Sequence, residues 1–325
     1  MHRRTAVLAF FGLTVLSLAA CGGGAGSSDG RTTNAGDTAN CPGEAVDVVA
    51  SVAQWGQIAQ ALVGDCGTVT TIVASSAVDP HDFEASTGDI AAFSDADLVV
   101  VNGADYDGWA ESAVETLDSA PVVVSAAEVA GIDTGEHSDD HADEDGHAAP
   151  DPHLWYDPEI VPETAAAITA ALTELSPDAA DHFAQRATAW AADLEPYRAL
   201  VAGLQESAAG RTYAATETVF DRMAAAVGLT DATPEGYRRS ASNESEPAPG
   251  DLAEFEAALA DGGVDVLVFN SQTSGGIPEQ LRAAAEDAGV PVVEVTESPV
   301  DADGSFVEWQ SAQLSALSDA LSRTP

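Results

Sequence analysis

The chain contains no lysine: its 11 basic residues are all arginine, against 54 acidic residues, for a net charge of −43 over 325 residues. A surface of that sign repels nucleic acid and anionic lipid and attracts cations. The acidity is spread along the whole chain, so most of it serves solubility. Cysteine is scarce, with three residues. No segment beyond the N-terminal leader is long and apolar enough to span a membrane. No His-Glu-x-x-His occurs, and no acid is plainly placed as a catalytic base, which argues against a metallohydrolase.

The first stretch is a targeting segment. His2, Arg3 and Arg4 form a positive start, residues 6–18 are apolar, and the run ends Leu18-Ala19-Ala20-Cys21. The apolar core is too short for a mature membrane helix. The pattern resembles a bacterial lipoprotein signal over residues 1–20, with Cys21 left to carry lipid. Residues 21–41, rich in Gly, Ser, Thr and Asp, read as a flexible tether. Cys41 and Cys66 remain as an even pair in an exported chain, which points to a disulfide. Such a bridge closes a loop of about 25 residues and is worth about 3 kcal/mol if unstrained.

The folded part holds two successions of short apolar strands and helices. Residues 46–51, 69–74, 98–102 and 121–126 are Val-rich, nearly continuous runs, separated by helical stretches. Continuous rather than alternating runs favour parallel strands buried on both faces. Residues 42–175 therefore read as an α/β lobe. Within it, residues 131–150 carry His137, His141 and His147 among acids, too polar to pack, and read as a mobile loop. Residues 176–209 form a helical pattern opening on Ser176-Pro177, about 50 Å long at 1.5 Å per residue, with Pro196 expected to kink or divide it. Residues 210–325 repeat the α/β pattern. The expected fold is α/β: two parallel-sheet lobes joined by a long connecting helix, with a cleft between them.

The motif that organises the chain is Asp151-Pro152-His153-Leu154-Trp155-Tyr156-Asp157-Pro158, echoed by Asp79-Pro80-His81-Asp82. In both, proline stiffens the backbone just before a histidine and pushes the residue ahead of it toward extended geometry. Two imidazoles presented from stiff turns suit a divalent transition metal. Ligands in open α/β sheets collect beyond the carboxyl ends of strands. His81 follows one strand, Glu217 and Asn270 end two others, and Asp301 and Asp303 follow the last. Glu217 and Asp303 are equally explained as acids at the start of a helix, and Asn270 as a turn residue. His182 reads as a surface residue.

Five stretches together resemble one family: Asp79-Pro80-His81, Asp151-Pro152-His153-Leu154-Trp155, Ala215-Thr216-Glu217-Thr218-Val219-Phe220, Phe269-Asn270-Ser271-Gln272 and Asp303-Gly304-Ser305-Phe306. The chain from about residue 46 to its end is similar to the metal-binding lipoproteins of zinc and manganese ABC transporters, the cluster A-I solute-binding proteins. The resemblance implies ligands at His81 and His153, a third at Glu217 (His in many zinc members, Glu in manganese members), and a fourth carboxylate at Asp303, with Asp301 its near rival. It implies a divalent metal as cargo, a membrane permease as partner, a lipid-anchored monomer facing outside the cytoplasm, and no enzymatic activity. Zinc is favoured by the His-rich loop and manganese by Glu217, with zinc first. The family often has Glu at the position of Asn270; that departure touches no expected ligand, so Asn270→Ala is expected to be nearly silent. A His2Glu metallohydrolase and a surface adhesin are the alternatives.

Overall fold

Valine-rich runs supply Val46–Val52, Leu98–Val101 and Val122–Ser125 of a first sheet, and Val266–Asn270 and Val292–Val295 of a second. In the first, β2 (Val46–Val52) is buried except for Asp47, and β4 (Leu98–Val101) is buried throughout. Between and beyond them lie α1 (Ala53–Val63), β3 (Gly67–Val73), α2 (Thr87–Asp95), α3 (Gly108–Glu115), β5 (Val122–Ser125) and α4 (Ala126–Val129). Pairings β2–β3, β2–β4 and β4–β5 are parallel. The two central strands β2 and β4 lack alternation because helices cover both of their faces. The computed structural model describes residues 30–78, 83–132, 150–243, 245–273, 275–300 and 304–323.

Part of the stretch read from composition as a tether, residues 21–41, is regular structure. Thr32–Ala35 forms a strand, β1, that pairs antiparallel with β3, with Thr33 opposite Thr70 and their hydroxyls 3.1 Å apart. β-Branched threonines suit a half-exposed edge strand. Arg31 adds an ion pair to Asp89 at 3.2 Å, on the helix whose first turn is closed by a reciprocal Ser86–Asp89 cap. Cys41 and Cys66 form a disulfide that ties this entry segment to the end of α1.

The helical connection between lobes is divided in two, the second of the outcomes expected at Pro196. After α5 (Ile160–Leu175), a tight turn at Pro177–Ala179 leads into α6 (Ala180–Asp193) and α7 (Glu195–Ser207). Pro196 sits in the first turn of α7, where its missing N–H costs nothing, so the break falls at Leu194. α6 packs on α1. His182 on α6 is half-buried, its Nε2 2.9 Å from the Val63 carbonyl.

The second sheet comprises β6 (Thr212–Ala215), β7 (Thr230–Asp231), β8 (Val266–Asn270) and β9 (Val292–Val295), all pairings parallel. Its helices are α8 (Asp221–Val227), α9 (Glu235–Ser242), α10 (Pro249–Ala260), α11 (Gly276–Ala288) and α12 (Phe306–Arg323). α7 reaches this lobe by packing on α12 and α8.

The strand orders are β1-β3-β2-β4-β5 and β7-β6-β8-β9. With β1 set aside, each sheet places its second strand outside its first and its third and fourth on the other side. Crossovers therefore diverge between β2 and β4 in one lobe and between β6 and β8 in the other. Such divergence opens a crevice at the carboxyl ends of the strands. One buried apolar cluster runs from the first sheet through α5, α6 and α7 to Phe220, Phe306 and Leu314. The two lobes thus share a core, while a smaller cluster around Tyr237, Phe255 and Leu281 lies on the far face of the second sheet.

Candidate metal site

His153 is held by groups on every side. Asp151 Oδ1 accepts from both its backbone N–H (3.0 Å) and its Nδ1 (2.6 Å). With Nδ1 engaged, Nε2 points away and meets Glu297 Oε1 at 3.5 Å. Trp155 stacks edge-on against the ring at 5.4 Å. His153 is only 8% exposed. Burial alone pushes an imidazole toward its neutral form, but the hydrogen bonds and charges of Asp151 and Glu297 outweigh it and raise the pKa to about 9. The imidazole thus stands between two carboxylates, Asp151 behind it and Glu297 ahead of it.

The turn carrying His153 is fixed from the β2–β4 crevice. Asn102, at the end of β4, donates through Nδ2 to the Pro152 carbonyl (2.9 Å) and accepts from Trp55 Nε1 (3.0 Å). Asp107 is fully buried and accepts from the N–H groups of Asn102 (2.7 Å) and Gly103 (2.8 Å) and from the Ser51 hydroxyl. Desolvation raises the Asp107 pKa, and these donors oppose the rise. The loop around it is left-handed at three successive residues, with φ of 75° at Gly103, 54° at Ala104 and 63° at Asp105. Only glycine fits the first of them, since a Cβ there would lie 2.7 Å from Ala127 Cβ.

Glu297 comes from the other lobe, just after β9. Its backbone carbonyl accepts from Gln54 Nε2 of α1 at 2.9 Å. The preceding residue is anchored as well: Thr296 O lies 2.8 Å from the Tyr156 hydroxyl, and Thr296 N–H donates to Gln313 Oε1 at 2.7 Å. Gln54 and Tyr156 of the first lobe, with Gln313 of α12, therefore fix the backbone that carries Glu297.

Glu217 follows β6 at the second crevice. Its Oε2 accepts from Asn270 Nδ2, and its Oε1 accepts from the Thr273 hydroxyl. Burial raises its pKa, opposed by those two donors, with Glu297's charge raising it further. Pro152, His153, Glu217, Thr273 and Glu297 line one cavity of about 520 Å³ between the lobes.

Of the expected ligands, the structure brings His153 and Glu217 to this cavity. His81, Asp301 and Asp303 lie outside the described residues, as do His137, His141, His147 and Cys21. Among the described residues, no three His, Cys, Asp or Glu side chains form a group able to hold a metal. Glu297, not among the expected ligands, stands two residues beyond the end of β9, just as Glu217 stands two residues beyond the end of β6. Sequence reasoning misjudged Asn270, which touches an expected ligand directly; a strand-end turn residue and a strand-end hydrogen-bond donor look alike until β6 and β8 are seen to be neighbours.

Two parallel α/β lobes on a shared core, with an oriented histidine facing carboxylates in the cleft, define a two-lobed cation-binding protein. The profile of the ZnuA family, "Zinc-uptake complex component A periplasmic", matches residues 48–320, and the chain belongs to that family. It is 26% identical over 319 residues to the high-affinity zinc uptake system protein ZnuA of Bacillus subtilis, covering 94% of each chain. It is 28% identical over 185 residues to the manganese-binding lipoprotein MntA of Halalkalibacterium halodurans, covering 57% of this chain and 56% of that protein. Among solved structures, the periplasmic zinc-binding protein TroA of Treponema pallidum shares the fold, with a TM-score of 0.68 at 22% identity, over 85% of this chain and 99% of that one.

Proposed function

We propose that this protein captures a divalent transition metal outside the cytoplasm and delivers it to the membrane permease of an ABC importer. The observation that carries the reading is His153. Its Nδ1 is tied to Asp151, so Nε2 is aimed at Glu297 across the lobe boundary. A carboxylate behind a histidine fixes its tautomer and raises its basicity as a ligand. The proposed ligand set is His81, His153 and Glu217 with one further carboxylate. Glu297 is the first candidate for that place, on its position against His153, and Asp303 is the second. Two carboxylates neutralise a bound dication, and mixed imidazole and carboxylate ligands suit both zinc and manganese. Zinc is the first choice, supported by the zinc-uptake family, and manganese the second. The protein is a binding component and not an enzyme, anchored by lipid on Cys21 as a monomer; release of Cys21→Ala from the membrane fraction tests the anchor.

Elemental analysis of purified, untagged protein with a competition titration tests the site. Wild type is expected to hold one tight ion. His81→Ala, His153→Ala and Glu217→Ala are each expected to weaken it at least a hundredfold. Glu297→Ala is expected to do the same and Asp303→Ala to do less; the reverse order would give the fourth place to Asp303. Normal binding by His153→Ala would sink the reading.

A further inference from the structure

Asn270 is 2% exposed, and its amide has only one possible orientation. Its Oδ1 accepts from the Gln272 N–H at 3.1 Å, so Nδ2 must face Glu217. Its own N–H donates to Thr216 Oγ1 at 3.1 Å, which fixes the end of β8 against the residue before Glu217. Thr273 supplies a second donor, to the other carboxylate oxygen. Both oxygens of residue 217 thus meet N–H or O–H groups, and the Asn270 amide is itself held at the second crevice. The surround is complementary to an anionic oxygen ligand. It suits an imidazole less well, because a histidine that binds metal through one nitrogen carries N–H on the other and needs an acceptor behind it, and the Asn270 amide, fixed with Nδ2 toward residue 217, offers none; only the Thr273 hydroxyl can accept.

We propose that Asn270 and Thr273 are the specificity-determining pair of the cleft. They hold residue 217 as a carboxylate and so keep the site in an oxygen-richer ligand class than an imidazole at that position would make. This rests on the metal-capture reading and adds which residues set its ligand class. It makes residue 217 dependent on residue 270: Glu217→His alone turns a donor toward the Asn270 amide donor in a half-buried spot, whereas Glu217→His with Asn270→Asp restores a donor–acceptor pair in nearly the same volume.

Competition titrations with Zn(II) and Mn(II) on the full-length protein test the pair, with thermal melts to show that each variant folds. Losing an outer hydrogen bond to a ligand typically costs ten- to hundredfold in affinity. Asn270→Ala is expected to lose that much for both ions. Thr273→Val, at a half-buried position less demanding for folding, is expected to lose about tenfold. Glu217→His is expected to bind zinc no tighter than wild type. Glu217→His with Asn270→Asp is expected to bind zinc at least tenfold tighter than Glu217→His. Zinc binding by Glu217→His above wild type, unchanged by adding Asn270→Asp, would overturn the proposal. So would wild-type affinity in Thr273→Val together with any folded Asn270 variant. A wild type that binds neither ion would instead remove the metal-capture reading itself.

Discussion

Arg222 on α8 donates through Nε (3.1 Å) and Nη2 to the backbone carbonyl of Asp151, the residue whose side chain orients His153. Its guanidinium also lies 3.5 Å from the Asp151 carboxylate and 3.7 Å from that of Asp157. A cation from the second lobe therefore steadies the Asp-Pro-His turn of the first. Planar, multi-donor geometry of this kind belongs to arginine and is lost in lysine.

Arg222→Gln is expected to loosen Asp151 and, through it, His153. Metal affinity should fall roughly tenfold, the scale for losing support behind a ligand. Thermal stability should fall as well, by about 1.5–3 kcal/mol at most for hydrogen bonds to a charged group. A competition titration beside a denaturant melt measures both. Unchanged affinity with lowered stability would make Arg222 a lobe contact without influence on the site.

Glu111 on α3 predicts how stability varies with pH away from the ligands. Burial, and then the charges of Asp107, Asp105, Glu115 and Glu128, raise its pKa from 4.5 to about 7. A carboxyl with a raised folded pKa binds its proton more tightly in the folded state. Between pH 4.5 and about 7 the folded state holds more protons than the unfolded chain, so this group's contribution to stability falls as pH rises through that window. Below the window it contributes nothing, and above it the penalty is constant. Glu111→Gln should melt higher than wild type at pH 8 and at about the same temperature at pH 4. An equal difference at both pH values would assign the effect to packing.

The bridge between Cys41 and Cys66 closes a 25-residue separation and holds the entry segment on the first sheet. Reduction, or Cys41→Ser with Cys66→Ser, should destabilise by about 2–4 kcal/mol. Because Cys66 is buried, the loss should not fall short of that range. Mass spectrometry without reduction should show no free thiol on either residue. Equal denaturation midpoints for oxidised and reduced protein would refute the contribution.

Local chemistry made much of this protein readable from residues alone. Val-rich runs specified buried parallel strands, because only strands covered on both faces dispense with alternation. The Pro152-His153 pair announced a rigidly presented imidazole, and Glu217 was visible as an acid at a strand end. Tertiary structure alone decided what these residues face. Strand order made β6 and β8 neighbours, joining Glu217 to Asn270 across 53 positions. Packing of the lobes joined Gln54 to Glu297 across 243 and Arg222 to Asp151 across 71. The Thr-rich stretch at β1 found a partner in β3 that its composition did not disclose. Backbone propensity acts over a few residues and leaves a pattern in the chain. The choice of neighbour depends on which distant surfaces exclude water together, and that is settled only when the whole chain has folded.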